Sequence, residues 1–175
     1  MSVKHGLLAL LVEGPRYGYE LKSGFEARTG AAWPLNVGQV YSTLARLERD
    51  ELVAKDGSDA EGHELYRITP RGLREVQDWW EAAVEREAPV RDELAIKLAL
   101  AVGTPGVDAR DVVQRQRTAT VRALQAHTRR KATLVAGDTA AALVLDALVF
   151  AAEAEVRWLD HCEARLVRSR NGVSR

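Results

Sequence analysis

Three segments with apolar residues at helical spacing, a hairpin pattern directly behind them, and an alanine- and arginine-rich remainder without another strand signal predict a mainly α chain. The expected architecture is an N-terminal winged helix-turn-helix with a two-stranded wing over residues 1–87, followed by a C-terminal helical dimerisation region over residues 88–175. At 175 residues the chain has room for a small domain with an appended helical arm.

The first helix is expected from Val3 to Glu13, with Leu7, Leu8, Leu11 and Val12 as its buried stripe and Gly14-Pro15 as its stop. Tyr17-Gly18-Tyr19 leads into a second helix through Leu21, Lys22 and Phe25 to Arg28, closed by Gly30. Trp33-Pro34 interrupts the path, and Asn36 then caps a third helix that runs to Arg49. Leu52–Lys55 and Glu64–Ile68 read as paired strands around a polar tip, Asp56 to His63, whose Gly57 and Gly62 suit a turn. Thr69 followed by Pro70 fits a cap with proline at the first helical position. The fourth helix continues through Leu73, Val76, Trp79, Trp80 and Val84 to about Glu87, before Ala88-Pro89.

The third helix carries two stripes. Val37, Val40, Tyr41, Leu44 and Leu47 recur at intervals of three and four and form the expected seat on the core. Gln39, Ser42, Thr43 and Arg46 follow the same interval on the other side, and all can hydrogen-bond to base edges or phosphates. A polar solvent face is the plain reading of such a stripe, but a wing directly behind it favours a DNA recognition helix. On that reading Gln39, Thr43 and Arg46 contact base edges, while Tyr41, Ser42, Lys4, Lys22 and Lys55 contact phosphate. Tyr41 lies on the apolar stripe, so a core role suits it equally; for Arg46 the nearest intrachain candidate is Asp50, four residues on.

Beyond Pro89, Glu93–Val102 forms a short helix, and two long helices are expected over Asp108–Ala136 and Thr139–Arg168. Each long segment would extend roughly 40–45 Å at about 1.5 Å per residue. Leu145, Leu148, Ala152, Val156, Leu159, Cys162 and Leu166 supply one continuous stripe. Val149, Phe150 and Trp158 leave a second apolar surface, which predicts a homodimer suited to two half-sites of a double-stranded operator. Residues 169–174 read as a frayed tail.

Charge argues against a global attraction to nucleic acid, because 25 basic side chains balance 25 acidic ones. Residues 1–49 nevertheless hold six basic and four acidic groups, against two and six in residues 50–70, so DNA contact must be local. A single cysteine, Cys162, excludes an intrachain disulfide framework, and the apolar run from Gly6 to Val12 is too short to span a bilayer; a cytoplasmic protein without membrane attachment is expected. Asp160-His161-Cys162 does not make a catalytic or metal site, since adjacent helical residues point in different directions, and no cofactor is implied. Cys162 reads as a small buried apolar residue, with a redox role as the alternative. A helical interaction scaffold that no longer binds DNA is the competing reading of the whole chain, raised by the zero net charge and the acidic wing.

The run GLLALLVEGPRYGYEL, Trp33-Pro34, Gly38–Leu44, Arg46-Leu47-Glu48, Leu52-Val53, Tyr66–Thr69 and Gly72 together resemble the PadR family of bacterial transcriptional regulators over residues 1 to about 85. The resemblance implies a dimeric winged-helix repressor, often released by a small aromatic molecule, and its recognition-helix tyrosine falls on Tyr41. Two positions depart from the family pattern. Glu51 stands where glycine is usual, so the helix must close without a left-handed glycine, and Ser42 replaces a common proline. The acidic tip (Asp56, Asp59, Glu61, Glu64) repels phosphate, which shifts the wing's expected contribution to Lys55 or Arg67. Trp80 and Trp158 offer flat faces for an aromatic effector, although tryptophans on amphipathic helices more often serve packing.

Overall fold

The computed structural model of the chain describes residues 3–85 and 92–172, with side chains through 168. Its contacts divide it into Met1–Glu85 and Arg86–Arg175. The expected boundary at 87/88 and the Ala88-Pro89 helix stop lie outside the described residues.

The first unit contains α1 (Val3–Leu11), α2 (Gly18–Arg28), α3 (Val37–Arg49), the antiparallel pair β1 (Val53–Ser58) and β2 (Glu64–Ile68), and α4 (Pro70–Glu81). Leu7, Leu8, Leu10 and Leu11 bury the inner face of α1, whereas Val12 is exposed because the helix has already ended. They meet Leu21 of α2, Val40, Leu44 and Leu47 of α3, Val53 and Tyr66 of the wing, and Val76 of α4 in one core. Burial of these side chains is the main force holding four short helices in place, each side chain contributing about 1.5–3 kcal/mol relative to exposure.

Strand β1 extends three residues further into the expected tip, to Ser58, and its register with β2 shifts between Lys55 and Ser58. Arg16 adds a third piece to this sheet by exchanging two backbone hydrogen bonds with Tyr66, both 3.0 Å. The turn after α1 is thereby tied to the wing. Thr69 caps α4, its hydroxyl accepting from Gly72 N, and Pro70 occupies the first turn. The helix stops at Glu81 rather than near Glu87, leaving Val84 outside it and 86% exposed.

The second unit contains α5 (Glu93–Gly103), α6 (Ala109–Ala132) and α7 (Thr139–Gly172). Asp92 and Asp108 cap the first two, each accepting from a backbone N–H of the first turn. Cross-links between Arg117 and Asp160, Gln116 and Glu155, and Lys131 and Asp146 show that α6 and α7 run antiparallel. Their core is built on Leu98, Val113 and Leu159, with Cys162 and Leu166 packed against it. Helix α7 runs through Gly172, so the tail expected from residue 169 is helical for its first four residues.

Candidate nucleic-acid interface

Helix α3 is fixed at both ends before any of its side chains can act. Asn36 caps the start, its Oδ1 accepting from Gly38 N at 2.7 Å. At the other end Glu51 N reaches Glu48 O and Leu52 N reaches Leu47 O, the paired bonds of a Schellman motif. The left-handed residue in that motif is Glu51 itself, with φ of 58°.

The buried stripe of α3 consists of Val40, Thr43, Leu44 and Leu47. It is rotated from the expected seat: Val37 and Tyr41 are exposed, at 39% and 44%, and Thr43 is buried. Thr43 is the correction among the expected base-contacting residues. Its hydroxyl donates to Gln39 O at 2.7 Å and accepts from Arg46 Nη2 at 3.3 Å, so its side chain faces its own helix and positions Arg46. Gln39, Ser42 and Arg46 remain on the open face. Ser42 donates to Gln39 O at 3.0 Å. Asp50, the expected partner of Arg46, instead pairs with Arg49 at 3.1 Å. Sequence spacing did not single out Arg49, although it occupies the middle of the exposed side between Ser42 and Ala45.

Tyr41 lies over the start of α2. A Cβ added at Gly18 would stand 2.6 Å from the Tyr41 Cζ, so only glycine leaves room for the ring there.

Each expected phosphate-binding lysine already holds a carboxylate. Lys4 pairs with Glu75 at 2.5 Å, Lys22 with Glu26 at 2.7 Å and Lys55 with Glu64 at 2.8 Å. Arg67 likewise pairs with Asp56 at 3.2 Å. Hydrogen bonds from Lys4 and then His5 hold the Glu75 carboxyl below its ordinary range. At the wing tip Asp59 binds His63 at 2.8 Å while the His63 ring stacks on Tyr17. Tyr66, buried beside Glu64, is pushed up to about 12 by desolvation and by the hydrogen bond it donates. It stays a neutral phenol that anchors the wing.

Lys4 and Arg46 also line one shallow recess with Arg49 and Asp50, of about 220 Å³, at the C-terminal end of α3. The N-terminus of α1 therefore lies beside the C-terminal end of α3. Trp80 is 66% exposed and tilted against Trp79, which itself stacks on His5. Trp158 belongs to the other unit and is 36% exposed.

Residues 7–78 match the Transcriptional regulator PadR-like family, and residues 90–167 match the Virulence activator alpha C-term family. An uncharacterised protein of Lysinibacillus sphaericus is 34% identical over 82 residues, covering 43% of this chain and 75% of that one. The negative transcriptional regulator PadR of Bacillus subtilis is 27% identical over 99 residues, or 54% of each chain. The chain belongs to the PadR-like family of transcriptional regulators. The crystal structure of Bacillus subtilis PadR in complex with operator DNA shares its fold, with a TM-score of 0.73 over 93% of this chain and 96% of that chain at 22% identity. This PadR-like chain is thus a DNA-binding regulator with a winged-helix fold, not an enzyme. Asp160, the first residue of the sequence Asp160-His161-Cys162, is taken up by Arg117, and burial pushes the Cys162 thiol up, away from the reactive thiolate. Among the described residues, no helix is long and apolar enough to cross a membrane.

Proposed function

We propose that this PadR-like chain is a cytoplasmic homodimeric repressor that acts by occupying a double-stranded operator. The observation that carries the reading is the open face of α3, where Gln39, Ser42 and Arg46 project from a helix whose opposite side is fully seated in the core. Gln39 and Arg46 contact base edges, with Thr43 holding the arginine. Tyr41, Ser42, Lys4, Lys22 and Lys55 contact phosphate, each lysine exchanging its carboxylate for the backbone. Residues 1–87 form the DNA-binding domain and residues 88–175 the dimerisation domain.

Support for the dimer comes from α7. Leu143, Ala147, Phe150, Ala154 and Trp158 recur at intervals of three and four and are all exposed, with Leu143 and Phe150 each at 67%. An apolar stripe of that length is the form a helical interface takes before its partner covers it. A small aromatic effector that releases the operator stacks on the open indole of Trp80 or Trp158. Quenching of tryptophan fluorescence by a panel of aromatic acids, lost in Trp80→Leu or Trp158→Leu, supports that step; unchanged fluorescence across the panel refutes it.

Gel-shift titration against the promoter beside its own gene, at two salt concentrations, tests the central reading. Arg46→Ala should cost about 1–3 kcal/mol on the operator and much less on random DNA. Equal losses on both would remove the base contact, and no selective binding at low salt would leave the helical scaffold instead. An activator is the second reading, favoured by the match of residues 90–167 to a virulence-activator region. A promoter-reporter fusion that rises rather than falls with the protein selects it.

A further inference from the structure

We infer that Val37 reads thymine, by packing its methyl groups against the C5 methyl of the base in the major groove. The inference rests on the proposed DNA-binding role of α3 and specifies part of what that helix reads. Val37 is the first residue of the helix and is 39% exposed, although Val40 and Leu44, one turn and two turns further on, are fully buried. With Tyr41 and Ala45 it forms an exposed ridge at intervals of four. Gln39 and Arg46 lie on the far flank of the same open face, with Ser42 between, so the face divides into a polar side and an apolar side.

The thymine methyl is the one apolar group that projects from a base edge into the major groove; apart from ring C–H, the other base-edge groups there donate or accept hydrogen bonds. Residues at the N-terminal end of a recognition helix are among those that reach base edges. Val37 is also held for such a contact. The Asn36 cap fixes the start of the helix, β-branching restricts the χ1 of valine, and the ring of Tyr41, four residues on along the same ridge, is confined against Gly18 of α2. A short branched side chain discriminates by shape without the cost of ordering a long flexible one.

The test uses the full-length chain and a half-site selected from a random duplex library. Each thymine is then replaced singly by deoxyuridine, which removes the methyl and keeps the base pair. One or two positions per half-site should each lose about fourfold in affinity, the value of one buried methyl. Val37→Ser should lose a similar factor on the thymine duplex and bind thymine and deoxyuridine duplexes equally; Val37→Ala, which keeps helix propensity, is measured beside it. Thermal melts of both variants check that α3 remains folded. Deoxyuridine without effect at every position overturns the inference, as does a discrimination that survives both substitutions or a selected half-site lacking thymine. Failure to select any sequence would instead overturn the DNA-binding reading of α3, a distinct result.

Discussion

Glu51 holds a φ of 58° where glycine would be unstrained, and the Schellman bonds of α3 require that conformation. A side chain with a Cβ costs about 1–2 kcal/mol there, whereas its exposed pair with Arg71 at 3.2 Å returns little. Glu51→Gly is therefore expected to raise stability by roughly 1 kcal/mol, visible as a higher denaturation midpoint at unchanged slope. The family departure at this position was legible in the sequence; that the glutamate itself adopts the left-handed conformation was not. Thr43 was misplaced for a related reason. Counting spacing treats threonine as polar, but its methyl suits the core while its hydroxyl is satisfied by Gln39 O within the helix. Glu75 supplies a pH test. Its carboxyl is held low by Lys4 and His5, so its contribution is complete above the ordinary carboxylate pKa and disappears as pH falls through the lower folded value. Melting temperatures of the native chain and Glu75→Gln should differ at neutral pH, and the gap should begin to shrink only as pH falls below the ordinary carboxylate range near about 4; a constant gap down to about pH 2 would contradict the assignment.

Element boundaries show where local signals suffice. The capped starts of α3 and α4 agree with the structure because Asn36 and Thr69-Pro70 act within one turn. The ends are less legible. Helix α4 stops at Glu81 with Ala82 extended, although Val84 continues the apolar pattern, since no core reaches that far. The extra pairing of Arg16 with Tyr66 also escaped the pattern, being a contact between residues fifty apart. Among the described glycines, the closest approach is at Gly72, where an added Cβ would lie 2.1 Å from the Leu52 carbonyl oxygen. That oxygen belongs to backbone, which cannot give way as a flexible side chain would. Gly72→Ala is expected to lose about 1–3 kcal/mol, measured by denaturant unfolding; an unchanged midpoint would show that α4 can slide away from the wing.

For the whole molecule, the mainly helical composition with one small sheet was readable because helical and strand periods differ so clearly. The open face of α3 was readable in part: the helix, its start and the exposure of Gln39, Ser42 and Arg46 follow from spacing, whereas the rotation of the helix depends on how the core receives it. The proposed dimer is tested at this scale. Phe150→Asp on the exposed stripe of α7 should shift sedimentation toward monomer and weaken operator binding at least tenfold, while the melting of the isolated fold changes little. A dimer unchanged by that charge would locate the interface elsewhere. The paired lysines have one more consequence, for the ions around the complex. Lys4, Lys22 and Lys55 each carry a counter-charge supplied by the chain itself, in Glu75, Glu26 and Glu64. On the proposed binding mode, a lysine that turns to phosphate displaces a cation from the DNA, but the abandoned carboxylate attracts another. The net release is smaller than the number of phosphate contacts, and a regulator of zero net charge would hold its operator through changes of salt that detach a more basic one.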